Sequence, residues 1–282
     1  LEQTKMASQT AKSPGLADRL VELLQERLKD SNVSMRIQVV RILASETRDP
    51  RAVDLLIQAL DDSDEKVRVR AVAALSQLTP DQVRQHLIKG LHDPHPGVRR
   101  QAVETLGKMH LTDALAPLIA CLNDRDQWVR WAAISAVSWR PTAEVSDAVR
   151  KCLKDDKAVV RRRACEAFAT DMKPAPVDDL LASLADDDAW VRFWAIEALR
   201  TSPSPKVVEA IIKLIQDKEE VVRDRAIRTL GYQKAKQAVA PLEEMLRLYK
   251  DDRDLVSLIQ HTLKQIATPE SHRAAEGPSM VL

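Results

Sequence analysis

The sequence is poor in aromatic residues, glycine and cysteine, and each shortage removes a class of protein. Five Trp, two Tyr and two Phe make up 3% of 282 residues, whereas 45% are hydrophobic, so Ala, Leu and Val carry the apolar content. Small aliphatic side chains suit the close approach of packed helices better than the core of a β-sandwich. Six glycines in the whole chain leave no phosphate-cradling loop of the usual kinds. The three cysteines, Cys121, Cys152 and Cys165, are odd in number and lack metal-ligand spacing. They read as reduced core residues, which fits a cytoplasmic compartment. An excess of either charge is also missing: 43 basic side chains oppose 42 acidic ones, for a net charge of +1. No global field therefore draws the chain to nucleic acid or to an anionic membrane. No apolar run approaches the ~20 residues of a membrane span, so no membrane association is predicted. Residues 1–15 lack the apolar segment of a secretory signal and read as a disordered leader. Residues 268–282 read as a disordered tail.

Catalytic constellations are missing as well. Of the histidines, only His92 and His95 lie close together, in a turn without a second ligand pair at metal spacing. The serines are scattered, without a nucleophile elbow. The expectation is a protein that is not an enzyme, with no metal and no cofactor.

What the chain does have is an internal repeat. Val-Arg recurs at Val67-Arg68, Val98-Arg99, Val129-Arg130, Val160-Arg161, Val191-Arg192 and Val222-Arg223, each step being 31 residues. Four positions after each Val stands Ala: Ala71, Ala102, Ala133, Ala164, Ala195 and Ala226. Eight positions after it stands Leu75, Leu106, Val137, Phe168, Leu199 or Leu230. Upstream, Leu60, Leu91, Leu122, Leu153, Leu184 and Ile215 keep the same step. Weaker copies begin at Met35-Arg36 and end with Leu255 to Leu263, giving eight units. Apolar offsets of 0, +4, +7 and +8 follow the helical period. Each unit therefore reads as two helices, A then B. The A helices should start near Leu16, Pro50, Asp81, Thr112, Ala143, Pro176, Pro205 and Gln237. One helix pair cannot bury its apolar faces alone, so the units must stack. The prediction is an all-α fold, an α-solenoid superhelix in one domain over residues 16–267.

The stretches Val98 to Gly107 and Val222 to Gly231, with A helices such as Ala114 to Ile119, resemble the HEAT-repeat family. The likeness is to its short type, named after phycobilisome lyases. That resemblance implies the antiparallel helix-pair solenoid and a concave side lined by the B helices. It says little about function, since such repeats serve many roles. HEAT-like deoxyhypusine hydroxylases hold iron with repeated His-Glu dipeptides, and no His-Glu occurs here.

Two polar columns follow the repeat. Asp62, Asp93, Asp124, Asp155, Asp186 and Asp217 stand two residues after the column Leu or Ile. They are read as N-caps of the B helices, with Glu65, Gln127 and Glu220 completing capping boxes. Arg68, Arg99, Arg130, Arg161, Arg192 and Arg223 lie about 100° round helix B from the Val, at the edge of the buried stripe. They are read as a structural ladder, each fork pairing an Asp of its own or a neighbouring repeat.

The remaining signal is on the outer face of helix B, at offsets −1, +2, +3, +6 and +10 from the Val. All five Trp fall there, namely Trp128, Trp131, Trp139, Trp190 and Trp194, together with Phe193 and Tyr232. Arg100, Arg162 and Arg163 are interspersed among them. A chain that builds its core from Ala, Leu and Val and sets Trp outside it points to a contact surface. The expected function is a scaffold or adaptor holding another protein, as a peptide, loop or helix, in a concave aromatic–Arg groove. The fourth repeat should offer Trp128, Trp131 and Trp139, the sixth Trp190, Phe193 and Trp194, with Arg162, Arg163 and Glu166 of the fifth between them. A bilin lyase subunit or other chromophore-handling factor is one alternative, implied by the family resemblance. A HEAT-like nucleic-acid binder is another, although Glu104, Glu166 and Glu197 interrupt the basic stripe and argue against a nucleic-acid track.

Overall fold

The structure, a computed structural model, describes residues 16–46 and 48–268. The leader and all but Thr268 of the tail read from the sequence lie outside these residues. Among the described residues there is no strand, and sixteen α-helices alternate with short turns. The chain divides into two compact units, one running to Cys121 and the other from Leu122.

Unit 1 holds α1 (Leu16–Arg27), α2 (Val33–Ser45), α3 (Pro50–Gln58), α4 (Glu65–Leu75), α5 (Pro80–Gly90), α6 (Pro96–Met109) and α7 (Leu115–Ala120). Its B helices form a row in which α2 packs on α4 and α4 on α6. Unit 2 begins with α8 (Gln127–Val137), α9 (Ala143–Lys151), α10 (Ala158–Thr170), α11 (Val177–Ser183) and α12 (Ala189–Leu199). It continues with α13 (Pro205–Lys213), α14 (Glu220–Tyr232), α15 (Val239–Leu248) and α16 (Arg253–Ala267). There α8 packs on α10, α10 on α12, α12 on α14 and α14 on α16. The A helices start within one residue of the expected positions, two of them through a short 3₁₀ turn at Thr112–Ala114 and Lys236–Ala238. Pro50, Pro80 and Pro205 occupy first turns, where a missing N–H breaks no bond.

The core is the repeat itself. Val67, Val129, Val160, Val191 and Val222 are fully buried, as is every Ala four residues on. A methyl side chain at that column lets neighbouring B helices approach closely. Phe168 is the largest fully buried side chain. Cys121, Cys152 and Cys165 are buried and form no disulfide, and burial pushes Cys152 and Cys165 up to about 12.

The capping expectation needs correction. Helix A ends in a 3₁₀ turn, at Ala59–Asp61, Cys152–Lys154 and Leu214–Gln216, and the column Asp that follows is extended. The chain needs two more residues to reverse, so helix B is capped two positions later. The N-cap residues are Asp64, His95, Asp126, Lys157, Asp188 and Glu219. Asp64 accepts from Lys66 N at 2.8 Å and Asp188 from Val191 N at 3.0 Å. His95, which the sequence places in a turn, accepts from Gly97 N through Nδ1 at 3.2 Å. Glu65, Gln127 and Glu220 are the first helical residues, too early to close a capping box.

Candidate functional site

The column Asp, freed from capping, has other partners. In unit 1, Arg68 Nε and Nη2 donate to both oxygens of Asp93 at 2.7 and 2.9 Å, and its Nη1 donates to the carbonyl of Asp62 at 2.9 Å. Arg36 does the same toward Asp62 at 2.8 and 2.9 Å, a rung that the regular 31-residue columns do not include. In unit 2, Arg130 grips Asp155 at 2.7 Å through both nitrogens, Arg161 grips Asp186 at 2.6 and 2.9 Å, and Arg192 grips Asp217 at 2.7 Å twice. Each carboxylate also accepts the N–H two residues on, as Asp186 does from Asp188 at 2.9 Å. These are two-pronged, charge-assisted bonds in nearly dry surroundings: Arg192 and Asp217 side chains are 6% and 7% exposed. Burial alone would raise the carboxyls of Asp62, Asp93, Asp186 and Asp217. The hydrogen bonds from their Arg partners and from the following N–H outweigh it and hold them below the usual carboxylate range.

Two rungs differ. Arg99 donates Nη1 to the carbonyls of Asp93 and Pro94 at 2.9 and 3.1 Å. Asp124 accepts the Asp126 N–H at 2.8 Å, and its carbonyl accepts Arg130 Nη1. Arg223 keeps the carbonyl half of a rung, donating to Asp217 and Lys218 at 2.9 and 3.1 Å. Twenty-five residues on, where every other fork in unit 2 finds Asp, stands Leu248.

The aromatic face lies wholly within unit 2. Trp128, Trp190 and Tyr232 are 45%, 46% and 40% exposed. Trp131, Trp139, Phe193 and Trp194 are half-buried. Ala132, placed outside by the periodicity, is buried. Phe193 is the hub of one cluster: its ring meets Trp190 edge-on at 5.4 Å and Trp194 at 5.3 Å. Guanidiniums knit this cluster to both neighbouring B helices. Arg162 of α10 stands 5.8 Å from the Trp190 ring centre, and Arg225 of α14 stands 4.5 Å from that of Phe193. Arg225 Nη1 also donates to Glu197 Oε2 at 3.0 Å, and Arg200 Nε donates to Glu197 Oε1 at 2.9 Å. Arg200 in turn lies 4.4 Å from the Tyr232 ring centre. A continuous chain of rings, guanidiniums and one carboxylate thus joins α10, α12 and α14.

The fifth repeat divides its two arginines between its neighbours. Arg162 belongs with Trp190, whereas Arg163 turns to α8 and donates to Ser135 Oγ at 2.8 Å. Arg163 is also 3.3 Å from Glu166 and only 14% of its side chain is exposed, so it braces α8 against α10 and is not an open guanidinium of the groove. Arg100 is exposed on α6 of unit 1, 3.6 Å from Glu104. Trp139 follows the end of α8 with Arg140 6.0 Å from its ring. Glu197, Arg200, Arg225 and Arg228 did not stand out in the sequence as site residues. Their signal was available as acid and base four or so residues apart on facing turns, but nothing in the pattern ranked them above other solvated charges.

Among the described residues no group of His, Cys, Asp and Glu can hold a metal ion, and no helix is long and apolar enough to cross a membrane.

The comparisons with known proteins bear on the fold. No curated protein sequence matches the chain. Among solved structures, YibA from Escherichia coli is 22% identical with a TM-score of 0.66, over 90% of this chain and 98% of that one. An engineered protein is 19% identical with a TM-score of 0.53, over 89% of this chain and 79% of its own. The complex of CpcE and CpcF, phycocyanin lyase from a Nostoc species, is 20% identical with a TM-score of 0.45, over 93% of this chain and 99% of that one. HEAT repeats are matched at residues 20–95, 84–169 and 177–264. With most of its length matched, the chain belongs to the HEAT-repeat family.

Proposed function

We propose that this chain is a non-catalytic scaffold that holds a segment of another protein against the aromatic face of unit 2. The observation that carries the reading is the ring–guanidinium chain on α10, α12 and α14, left half open to solvent at Trp190 and Tyr232. The fold does not require it, since Ala, Val and Leu fill the core. Large rings beside arginines are the side chains that dominate binding energy at protein interfaces. Rings braced by Arg162, Arg200 and Arg225 are pre-organised, so little entropy is lost when a partner settles on them. A peptide, loop or helix fits this row of exposed rings better than a small metabolite, because contacts spread over several helices need a ligand that spans them.

The test is affinity capture from the native host with the full chain and with the double variant Trp128→Ala, Trp190→Ala. A partner retained by the wild type and lost by the variant, with unchanged helix content, supports the proposal. Capture that ignores both substitutions sinks it. Nucleic acid recovered in place of protein, with a steep salt dependence, replaces it with the nucleic-acid reading.

A further inference from the structure

Between α12, α14 and α16 lies a cavity of about 300 Å³, next to the Phe193 cluster. Its wall holds Thr229 of α14 and Thr262 of α16, each 1% exposed. Neither hydroxyl has a hydrogen-bond partner, and neither does the buried Nε of Arg225, which also lines the cavity. Buried polar groups are almost always paired, and an orphan costs about 1–3 kcal/mol. Three orphans in one wall mark a place where something else supplies the partners.

The repeat shows that the threonines are not structural necessities. Seven residues after the column Val stand Ala74, Ala136, Ala167 and Ala198 in other B helices. Thr229 occupies that column, and so does Thr262 counted from Leu255. Thr105, also in the column, has a neighbour to satisfy it, Gln101 Nε2 at 3.4 Å. Gly231 deepens the contact beneath: a Cβ there would come within 2.5 Å of Gln265 Oε1. The Gln265 amide lies against the bare Gly231 backbone and meets His261 Nε2 at 3.0 Å.

Charge decides what the cavity accepts. Arg200, Arg225 and Arg228 line it against a single carboxylate, Glu197. Glu197 is spent on Arg200 and Arg225, while Arg228 is exposed and also borders a neighbouring cavity lined by Asp224 and Asp254. Two buried hydroxyls, a buried Nε–H and the exposed Arg228 guanidinium make a donor-rich wall with a local charge of +2, from three Arg less one Glu. Its complement is a group with several acceptor lone pairs and a negative charge. At about 300 Å³ the cavity lies at the small end of ligand sites and has room for a carboxylate side chain with its water.

We propose that this cavity binds the carboxylate of an Asp or Glu in the partner segment, while an apolar residue of the same segment lies on Trp190 and Phe193. The inference rests on the proposed peptide-holding role and gives that partner its chemistry. Adjacent helices stand about 8–10 Å apart and an extended chain rises about 3.3 Å per residue. The acidic residue should therefore fall roughly two or three positions from the apolar anchor.

Random 12-residue peptides displayed on phage and selected on the immobilised full chain supply the probe. The full chain carrying Thr229→Val, Thr262→Val and Arg228→Ala is selected in parallel, as is the Trp190→Ala chain. Valine keeps the shape of threonine and removes an unpaired hydroxyl, so the first variant should fold with an undiminished denaturant midpoint. The expected result is enrichment of peptides with an acidic residue about two or three positions from an aromatic or aliphatic one. Changing that acid to its amide should weaken binding about tenfold on the wild type and less than about twofold on the triple variant. Peptides that need Trp190 but show no acidic position, or the same acidic preference on the triple variant, overturn the cavity assignment and leave the scaffold reading standing. Enrichment of no peptide, or of peptides indifferent to Trp190→Ala, overturns both.

Discussion

Unit 1 and unit 2 are built from the same helix-pair repeat, with the same buried Val and Ala columns and the same Arg–Asp rungs. They differ in one class of residue. None of the nine Trp, Tyr and Phe lies before Leu122. Unit 1 therefore shows what the repeat needs in order to fold: aliphatic columns, a small residue where B helices cross, and a fork of arginine on aspartate. Everything aromatic in unit 2 except buried Phe168 is additional to that need, which is why its role is sought in binding.

The rungs are the shared part, and removing one has the largest expected effect. Arg192→Ala leaves Asp217 buried without its counter-charge, and loss of one member of a buried pair costs about 3–5 kcal/mol. We expect about 3 kcal/mol in the denaturant midpoint for Arg192→Ala in unit 2 and a similar value for Arg68→Ala in unit 1, whose pair is nearly as dry at 13% and 10% exposed. A shift in one unit and none in the other would break the claim of a common framework.

The aromatic face is the unshared part. Replacing exposed Trp190 with Ala should weaken partner binding by about 2 kcal/mol, as interface Trp anchors commonly do, and cost less than about 1 kcal/mol of stability. Arg100→Ala, on the unit without aromatics, should change binding less than about twofold. Titration of the captured partner against each variant gives the answer, and equal losses would erase the distinction between the units. Trp131 and Trp194 are poorer probes, because half-burial mixes packing loss with any loss of contact.

Acid should reach both units alike. Asp62 and Asp93 in unit 1 and Asp186 and Asp217 in unit 2 titrate below the usual value, and an unfolded Asp titrates near about 3.9. Stability from a depressed carboxyl is complete above the unfolded value and is lost as pH falls through the folded one. The urea midpoint should therefore be flat in this respect above about pH 5 and decline below about pH 4. Asp217→Asn should flatten that decline, and an unaltered acid limb in this variant would count against the ladder as its source.

The sequence carried most of the fold because its repeat is written eight times. Val, Ala and Leu at 31-residue steps, with Pro at helix starts, located sixteen helices among the described residues. It carried less of the local chemistry. Asp at the column looked like an N-cap because Asp favours that place, and only the extended pair after the 3₁₀ turn shows the cap moved two residues on. The outer columns found Trp128 and Trp190 but also admitted Ala132 and Arg163, since a 100° step cannot tell open solvent from the flank of the next helix. The cavity of Thr229 and Thr262 was out of reach for a different reason. Its two hydroxyls are 33 residues apart and meet only because α14 packs on α16.

The smallest effect expected tests what makes a rung a rung. Arg223 donates to the carbonyls of Asp217 and Lys218, which correspond in the repeat to Asp186 and Asp187 under Arg192, but has no aspartate in its fork. If the carboxylate supplies the stabilisation, Arg223→Ala should cost about 0.5–1 kcal/mol, the value of ordinary hydrogen bonds at a half-buried site. That is several times less than Arg192→Ala in the same unit. Installing the missing acid by Leu248→Asp should not simply recover a rung, because Leu248 ends α15 and is exposed, not in the extended backbone that presents Asp217. Denaturant midpoints for the three variants separate the contributions. An Arg223→Ala loss as large as that of Arg192→Ala would mean that the carbonyl bonds, which seal the A-to-B turn, hold the repeat together, and that the Asp column contributes little.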